Sequence, residues 1–599
     1  MCCAEVGRFP GLDVRFLKIL LVHPEDSPCS GPWAAEKWDL IVDLGKSSAF
    51  TRASWQERLN LRILQLDSLR RGIQDFESVR KLLDAGHNQL VDEFGLDWWD
   101  VISVSIYSEL QEAVLLKRLV GVLDANAELY ATRPGWPSSG VALVLKRPLR
   151  TFPGTFHSSH FHHYGDVLRR FSLGQLAEIF LDKYDLRYRW RARFAAKRRG
   201  LQGPFVLLPS AYTNVSRMAL AYASMLPEQS FLLVATRRSG THFDPAPNVA
   251  CASLAAYARG PEPRAEHLEI LRKWRNLKQS LALLPEIDLL FRAGLLEKFP
   301  NHFRDGLAVR NAWQNVLSQE QVATVMCGDD SNPYTRLPVL LARQLGIPTL
   351  DFHHGALDGR FLMKELSSDL YLAKGEMERD YLLRICRLPA ERVILAGPGL
   401  PRSIPTHGHQ KDEGTLILFF SEPYESGGSR TEEIYRELLP PLARLAREFG
   451  RRLVVKLHPF ESRPERMALV AKVLRPKDAA LVDVVGGPFT PQLVGKAWFA
   501  VTVASSTVVD CSLLGVPCFL CEWLNSSPYG YTRQYARFGV GRILSSPVQL
   551  NELPRMVAEP AIPLSEDCLL KPMDPEWLRR TIATGACTAT PKVPSPKTS

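Results

Sequence analysis

The chain has 599 residues, of which 46% are hydrophobic and 23% charged, and its formal net charge is +10. Such a composition is typical of a folded globular protein, and the length predicts several domains rather than one core. No apolar run approaches the roughly 20 residues that a membrane-spanning helix needs. The modest positive excess favours anionic partners, such as nucleotides, acidic glycans or an anionic membrane face.

The start of the chain, M-C-C-A-E-V-G-R-F-P, has an acid where a secretory signal would have basic and then apolar residues. Eleven scattered cysteines fit a compartment in which thiols stay reduced. We therefore expect a cytoplasmic protein. Nucleic acid is not an expected partner, because no helix-turn-helix, zinc-finger or aromatic-basic RNA-binding pattern is present.

Residues 1–150 alternate between strand-like and helix-like segments, which predicts an N-terminal α/β module with a parallel sheet. The strand-like segments are 16–23, 38–45, 62–67 and 127–133. Because the module has no phosphate-binding loop, its predicted role is structural or partner-binding.

Residues 151–203 predict a basic helical connector. His157, His160, His162 and His163 have metal-like spacing, but no cysteine and no cluster of acids accompanies them, so no metal site is predicted. The stretch R-Y-R-W-R-A-R-F-A-A-K-R-R at 187–199 predicts a solvated helix face, and contact with an acidic glycan or the inner membrane face stays open.

Two further α/β units follow the connector. The alternation predicts them at 204–400 and 415–586, and residues 401–414, rich in Pro, Gly and charge, predict the linker between them. The composition of the last residues, 587–599, predicts a disordered tail.

Two strand ends in the last unit carry the predicted binding chemistry. The first strand lies in V-V-K-L-H-P at 454–459 and ends at the pair His458 and Pro459. The second begins the stretch V-T-V-A-S-S-T-V-V-D at 501–510 and gives way to the polar residues Ser505, Ser506 and Thr507. Ligands of parallel sheets bind outside the carboxyl ends of strands, so both ends are expected to line one crevice for a nucleotide phosphate. His458 could instead be a strand-end histidine that caps backbone carbonyls. The Ser-Ser-Thr run is also a common helix cap, which does not exclude a ligand.

Five short motifs occur in order: H-H-G-A, D-L-Y-L-A-K-G-E, R-V-I-L-A-G-P-G, K-L-H-P and A-S-S-T-V-V-D. Over about 204–585 this set resembles the GT-B glycosyltransferases of bacterial surface and capsular polysaccharides, and the related CDP-glycerol glycerophosphotransferases. The resemblance implies a GT-B-like pair of doubly wound Rossmann-type domains, preceded here by the additional N-terminal α/β domain. The first domain of the pair would hold the acceptor and the second the nucleotide.

The H-P pair with the hydroxyl run resembles transferases that use CMP-activated acidic sugars, such as sialic acid or Kdo. By that resemblance, His458 would stabilise the leaving phosphate and the three hydroxyls would hold it. Such enzymes carry an acidic pair followed by Gly. The matching residues here are Asp329 and Asp330, but Ser331 follows them, which leaves the catalytic base open.

Three alternatives accompany that assignment. The acidic pair could instead start a helix. His354, in the His-Gly of H-H-G-A, is a second base candidate, with a structural role as its alternative. Ser421 and Glu422 begin a Gly-rich loop that either approaches the nucleotide or is a simple turn.

Cys518 and Cys521 form a C-x-x-C within a strand. Because side chains alternate along a strand, the two cysteines are predicted to lie on opposite faces rather than to form a metal site.

The expected function is transfer of a sugar from a nucleotide donor to a growing glycan or lipid-linked glycan, without metal or cofactor beyond the nucleotide-sugar substrate. Two alternatives within the fold are a UDP-sugar transferase and a UDP-sugar 2-epimerase. A third alternative is a non-catalytic scaffold of a polysaccharide assembly complex.

Overall fold

The computed structural model contains three parallel β-sheets. It describes residues 17–24, 26–45, 47–152, 200–236, 246–258, 264–330, 333–355, 367–398, 414–422, 429–458, 461–487, 490–525, 530–559 and 566–584. The predicted histidine run, basic stretch and tail lie outside these ranges, as does nearly all of the predicted linker. None of the helices within them combines the length and the apolar character of a bilayer-spanning segment.

The first sheet has five strands in the order β3-β2-β1-β4-β5. The strands are β1 (Lys18–Val22), β2 (Leu40–Asp43), β3 (Ile63–Gln65), β4 (Glu128–Ala131) and β5 (Leu149–Thr151). The helices are α1 (Ala49–Leu59), α2 (Ile73–Asp84), α3 (Trp98–Ile102), α4 (Tyr107–Val120) and α5 (Ser138–Leu145). From Ile19 to Val22, successive residues of β1 enter apolar clusters on opposite faces, so both faces of the strand are covered and this run is wholly apolar. The predicted parallel α/β sheet is confirmed, and the short strand β5 was not predicted.

The second sheet has seven strands in the order β12-β11-β10-β9-β6-β7-β8. The strands are β6 (Phe205–Ser210), β7 (Phe231–Ala235), β8 (Val249–Ser253), β9 (Val322–Cys327), β10 (Thr349–Phe352), β11 (Leu370–Ala373) and β12 (Val393–Leu395). The helices are α6 (Thr213–Ala223), α7 (Arg264–Leu281), α8 (Pro285–Arg292), α9 (Phe299–Gln319), α10 (Pro333–Gln344) and α11 (Glu376–Asp380). The strand order reverses between β6 and β9, as in doubly wound folds.

The third sheet has six strands in the order β15-β14-β13-β16-β17-β18. The strands are β13 (Leu416–Phe420), β14 (Arg452–Lys456), β15 (Val482–Val485), β16 (Ala497–Thr502), β17 (Cys518–Cys521) and β18 (Arg542–Leu544). The helices are α12 (Ser429–Glu448), α13 (Arg463–Val473), α14 (Pro476–Ala479), α15 (Pro491–Val494), α16 (Thr507–Leu513), α17 (Tyr531–Arg537) and α18 (Leu553–Ala558). Cys518 and Cys521 belong to clusters on opposite faces, which confirms the alternation predicted for them.

The end of the described chain returns from the third sheet to the second. Helices α19 (Glu566–Leu569) and α20 (Pro575–Thr584) follow α18, and Trp577 and Leu578 of α20 pack in the cluster that contains β6 residues. A Cβ atom on Gly375 would lie 2.5 Å from the Cys568 carbonyl oxygen, so the two segments approach closely. The predicted limit of the third unit stays a prediction, but its last helix packs on the second sheet.

The first domain contacts both of the others. The Ser48 backbone N–H and hydroxyl donate to Glu433 and Glu437 of α12, each at 2.7 Å. Arg310 of α9, 1% exposed, pairs with Asp92 of the first domain at 2.6 Å. Burying an unpaired guanidinium costs several kcal/mol, roughly, and the Asp92 carboxylate offsets that cost, so this contact joins the first two domains. The predicted α/β class, with two doubly wound Rossmann-type sheets and an additional N-terminal α/β sheet, is confirmed.

Candidate functional site

The sheet order determines where the predicted binding residues lie. His458 follows β14, Ser421 and Glu422 follow β13, and Ser505 follows β16, all at the carboxyl edge of the third sheet. Because β13 lies between β14 and β16, the ends carrying His458 and Ser505 are two strand spacings, or about 10 Å, apart. They share an edge, and the β13 end lies between them. Pro459 lies outside the described residues.

Ser421 belongs to a hydrogen-bonded chain that orders this edge. Tyr435 donates its hydroxyl proton to Ser421 Oγ, and Ser421 donates to Glu461 Oε1, both at 2.8 Å. Glu461 also accepts the His458 backbone N–H at 2.9 Å and pairs with Arg466 at 2.7 Å. Ser421 therefore orients the His458 segment, and Glu461 is a residue that sequence reasoning missed.

His458 is half-buried. Burial lowers the pKa of its imidazole, the charge of Glu461 opposes this shift and that of Lys456 adds to it. A neutral ring at pH 7 donates one hydrogen bond rather than a full positive charge.

Glu422 connects the two central strand ends. Its Oε1 accepts a hydrogen bond from Thr502 Oγ1 at 3.1 Å and a longer one from the Ala504 backbone N–H at 3.4 Å. Burial raises the pKa of Glu422 to about 7, although these hydrogen bonds favour the charged form. Glu422 can therefore gain or lose a proton near neutral pH.

The hydroxyl run surrounds the start of α16. Thr502 Oγ1 accepts the Ser505 backbone N–H at 3.1 Å, and Ser505 Oγ accepts the Thr507 N–H at a long 3.4 Å. Ser506 is exposed and makes no capping hydrogen bond, and Thr507 Oγ1 is buried without a hydrogen-bond partner among the described residues. Capping therefore uses little of the hydrogen-bonding capacity of the run.

The acidic pair follows β9 on the second sheet and is largely buried, with Asp329 and Asp330 each 7% exposed. Asp330 Oδ2 accepts the Ser367 hydroxyl at 2.6 Å and lies 3.8 Å from Arg336 Nη1. Burial raises the pKa of Asp330, while Arg336 and Ser367 oppose the shift. A third acid, Asp351 on β10, has its pKa raised well above the ordinary value by burial and by the Asp330 charge. The buried acids therefore have internal partners.

His354 follows β10 beside the acidic pair and is half-buried. Its Nδ1 lies 2.8 Å from the Gly328 carbonyl oxygen, which can only accept, so Nδ1 carries a proton. In the neutral ring Nε2 then has the lone pair that a general base needs. The Gly328 backbone contacts the Phe352 ring, where an added Cβ would lie at 2.5 Å, so the hydrogen-bonded carbonyl is firmly positioned.

Charges from the two sheets meet in the space between their carboxyl ends, which we call the cleft. Asp510 of α16 is accessible to solvent, yet surrounding protein raises the pKa of its carboxyl to about 6. Two cations of the second domain oppose that shift: Arg217 of α6, which is exposed, and Lys374, directly after β11. The Lys374 ammonium donates to the His353 carbonyl oxygen at 3.1 Å.

Within the described part of the chain, one group of potential metal ligands lies away from the cleft. His87 Nδ1 is 2.9 Å from Asp100 Oδ1 and 3.6 Å from Asp97 Oδ2. Asp97 caps α3 by accepting the Trp99 backbone N–H at 3.0 Å. Helix capping and ion pairing account for this group.

Comparison with known proteins gives fold-level likeness only. No family model and no curated protein matches the chain. A UDP-GlcNAc 2-epimerase from Methanocaldococcus jannaschii is 11% identical with a TM-score of 0.40, covering 63% of this chain and 99% of its own. The calicheamicin glycosyltransferase CalG4 is 14% identical with a TM-score of 0.34, covering 64% and 95%. The lipopolysaccharide outer core galactosyltransferase WaaB is 12% identical with a TM-score of 0.36, covering 59% and 90%. At these scores the likeness carries no argument about activity.

The residues that sequence reasoning missed lie inside or beside the motifs that it used. Asp351 precedes the H-H-G-A motif, Lys374 is the lysine of D-L-Y-L-A-K-G-E, and Asp510 ends A-S-S-T-V-V-D. The available signal was a position within a strand for Asp351, directly after a strand for Lys374, and in the helix that follows a strand end for Asp510. Arg217 had no such signal, because only the packing of the two domains brings α6 near α16.

Proposed function

We propose that this chain is a glycosyltransferase that moves a sugar from a nucleotide donor to a growing glycan of a bacterial surface polysaccharide. The observation that carries the proposal is the set of groups that line the cleft. On the second sheet, His354 can accept a proton, and Arg217 and Lys374 supply positive charge. On the third sheet, the Thr507 hydroxyl has no hydrogen-bond partner among the described residues. Transfer needs both, a base for the acceptor and neutralisation of the departing phosphate.

His354 is the proposed base. The Asp330 carboxylate is less suited because Ser367 and Arg336 already occupy it. In the step, the acceptor oxygen forms a bond to the anomeric carbon and its proton passes to His354 Nε2. The bond from that carbon to the phosphate oxygen breaks, and its electron pair leaves with the phosphate.

The hydroxyls of Ser505 and Thr507 are proposed to receive the phosphate. His458, about 10 Å away across the β13 end, would contact another part of the nucleotide or donate one hydrogen bond to the phosphate. A neutral His458 gains a proton more readily beside an anion, because a nearby negative charge raises an imidazole pKa.

The proposed donor is a CMP-activated acidic sugar. Such a donor has one phosphate and one carboxylate, and Arg217 and Lys374 offer cations for the second anion. A UDP-sugar, used by a transferase or a 2-epimerase, would present its two phosphates to the same groups.

The deciding experiment is calorimetric titration of the full chain with CMP, CDP and UDP, with thermal shift as the second readout. Stabilisation by CMP in preference to UDP supports the cytidine donor, and the reverse preference transfers the proposal to UDP-sugars. If none of the three binds at millimolar concentration, the scaffold alternative replaces catalysis.

His458→Ala tests the site assignment. We expect release of CMP from a CMP-activated acidic sugar to fall about tenfold, the effect of one lost hydrogen bond, while the melting temperature stays unchanged. His302→Ala, at an exposed position on α9, is the matched control and should retain full turnover. Normal turnover of the His458 variant would remove this residue from the site.

A further inference from the structure

A second pocket lies where the first domain meets the third. Its volume is about 830 Å³, within the range of small-molecule sites, and it is lined by the segment after β1, by α1 and by α12. We call it the N-terminal pocket. It lies at the carboxyl edge of the first sheet, beside the ends of β1 and β2, and ligands of open parallel sheets bind at that edge.

The acids that line the N-terminal pocket all have partners. Asp26 accepts two hydrogen bonds from Arg133, at 2.9 and 3.0 Å, and Glu432 pairs with Arg436 and Lys472. Glu433 and Glu437 of α12 accept hydrogen bonds from Ser48, and Glu433 also pairs with Arg430. The pocket therefore presents few free negative charges to a ligand.

Arg58 is the pocket-lining cation that has no ion pair among the described residues. Arg58, in the last turn of α1, is exposed and makes no hydrogen bond or ion pair with any residue that the structure describes. Trp55 precedes it by three positions, so both lie on one helix face with Cβ atoms about 5 Å apart. Thr51, one turn before Trp55, continues this face along the pocket wall.

The same helix excludes a nucleotide phosphate at its other end. Ser48 caps α1 by accepting the Thr51 backbone N–H at 3.1 Å, and Glu433 and Glu437 lie against the cap. Carboxylates at a helix start occupy the position that a phosphate would take. An anionic group bound in the N-terminal pocket would therefore lie at Arg58, beside the flat indole ring of Trp55 and the hydroxyls of the lining serines and threonines.

We propose that the N-terminal pocket binds an acidic saccharide, with a sugar ring against Trp55 and its carboxylate or phosphate group at Arg58. The spacing of these two side chains suits a ring and an anionic substituent on the same sugar. Five serine and threonine residues in the lining, Ser27, Ser30, Ser47, Thr51 and Ser54, suit sugar hydroxyls. The site is separate from the cleft, and binding there does not require the proposed transfer reaction.

The test is calorimetric titration of the full chain with a hyaluronan hexasaccharide, whose glucuronates alternate with N-acetylglucosamine, and with the neutral hexamer of N-acetylglucosamine. We expect the acidic hexasaccharide to bind at least about tenfold more tightly, since a charge-assisted hydrogen bond contributes about that factor. Glucuronic acid and glucose 6-phosphate then distinguish a carboxylate from a phosphate ligand.

Arg58→Ala should weaken acidic hexasaccharide binding about tenfold and Arg58→Glu should abolish it. Arg62→Ala, an exposed arginine just beyond α1 and outside the pocket lining, should change nothing. CMP and UDP binding should be unaffected in all three variants, which separates this proposal from the proposed function. Equal binding of both hexasaccharides, equal loss in the Arg62 variant, or no binding at millimolar concentration would overturn it.

Discussion

The two strand edges that face each other across the cleft differ in how their polar groups are used. On the second sheet, Asp330 and Asp351 are buried acids with internal partners, and His354 is oriented by a hydrogen bond to the Gly328 carbonyl oxygen. On the third sheet, the hydroxyl of Thr507 has no partner among the described residues, and Ser506 is exposed. A preorganised edge suits proton transfer, and an edge with spare hydrogen-bonding capacity suits a bound anion.

Among these variants, His354→Ala should reduce the rate of sugar transfer the most, because it removes the proposed base from the second-sheet edge. Loss of a general base lowers turnover by about 10²–10⁴-fold. We expect this decrease in the rate of sugar transfer, with nucleotide affinity unchanged by calorimetry. His302→Ala serves again as the control. A variant that keeps its rate but loses nucleotide affinity would show that His354 binds rather than reacts.

Glu422→Gln tests the ionisable group on the anion-binding edge. The folded pKa of Glu422 is raised from 4.5 to about 7, so the folded state holds the proton more tightly and wild-type stability falls as pH rises between these values. The loss is complete above pH 7 and amounts to about 3 kcal/mol.

The glutamine variant lacks this titration. Its stability relative to the wild type should therefore increase from pH 5 to pH 8, measured by denaturant unfolding at both values. The same difference at the two pH values would show that Glu422 is charged without cost in the folded protein.

Replacing both Ser505 and Thr507 by Ala tests the spare hydroxyls. Hydrogen bonds to a charged group contribute about 1.5–3 kcal/mol, so we expect nucleotide affinity to fall about 10- to 100-fold. The control is Ser512→Ala at the far end of α16, whose hydroxyl donates to the Val508 carbonyl oxygen. Unchanged affinity in the double variant would assign the run to helix capping alone.

Arg217→Ala tests whether the second domain contributes a cation to donor binding across the cleft. This exposed cation comes from the second domain, so its removal should weaken binding of a donor with two anionic groups by about tenfold and leave CMP itself nearly unchanged. Arg379→Ala, an exposed arginine of α11, is the control. Equal weakening for CMP and for the complete donor would place Arg217 at the phosphate.

The sequence predicted much of this architecture because parallel sheets covered on both faces leave a strong local signal. β6 and β16 are buried at every position, and β13 and β14 are buried at every position after the first. The polar residues directly after these runs were therefore recognisable as edge residues. The three-residue strand β5 has no buried position and left no such signal.

The sequence by itself determined three parallel α/β sheets and the strand-end positions of His354, His458 and the hydroxyl run, because burial pattern and chain order are local properties. The tertiary structure decided which ends are neighbours. Strand order put the β13 end, with Glu422, between His458 and Ser505, and domain packing brought Arg217 and Lys374 near Asp510. It also formed the N-terminal pocket from α1 and α12, which are more than 350 residues apart in the chain. Contacts of that kind depend on the packing of whole domains, which no local pattern records.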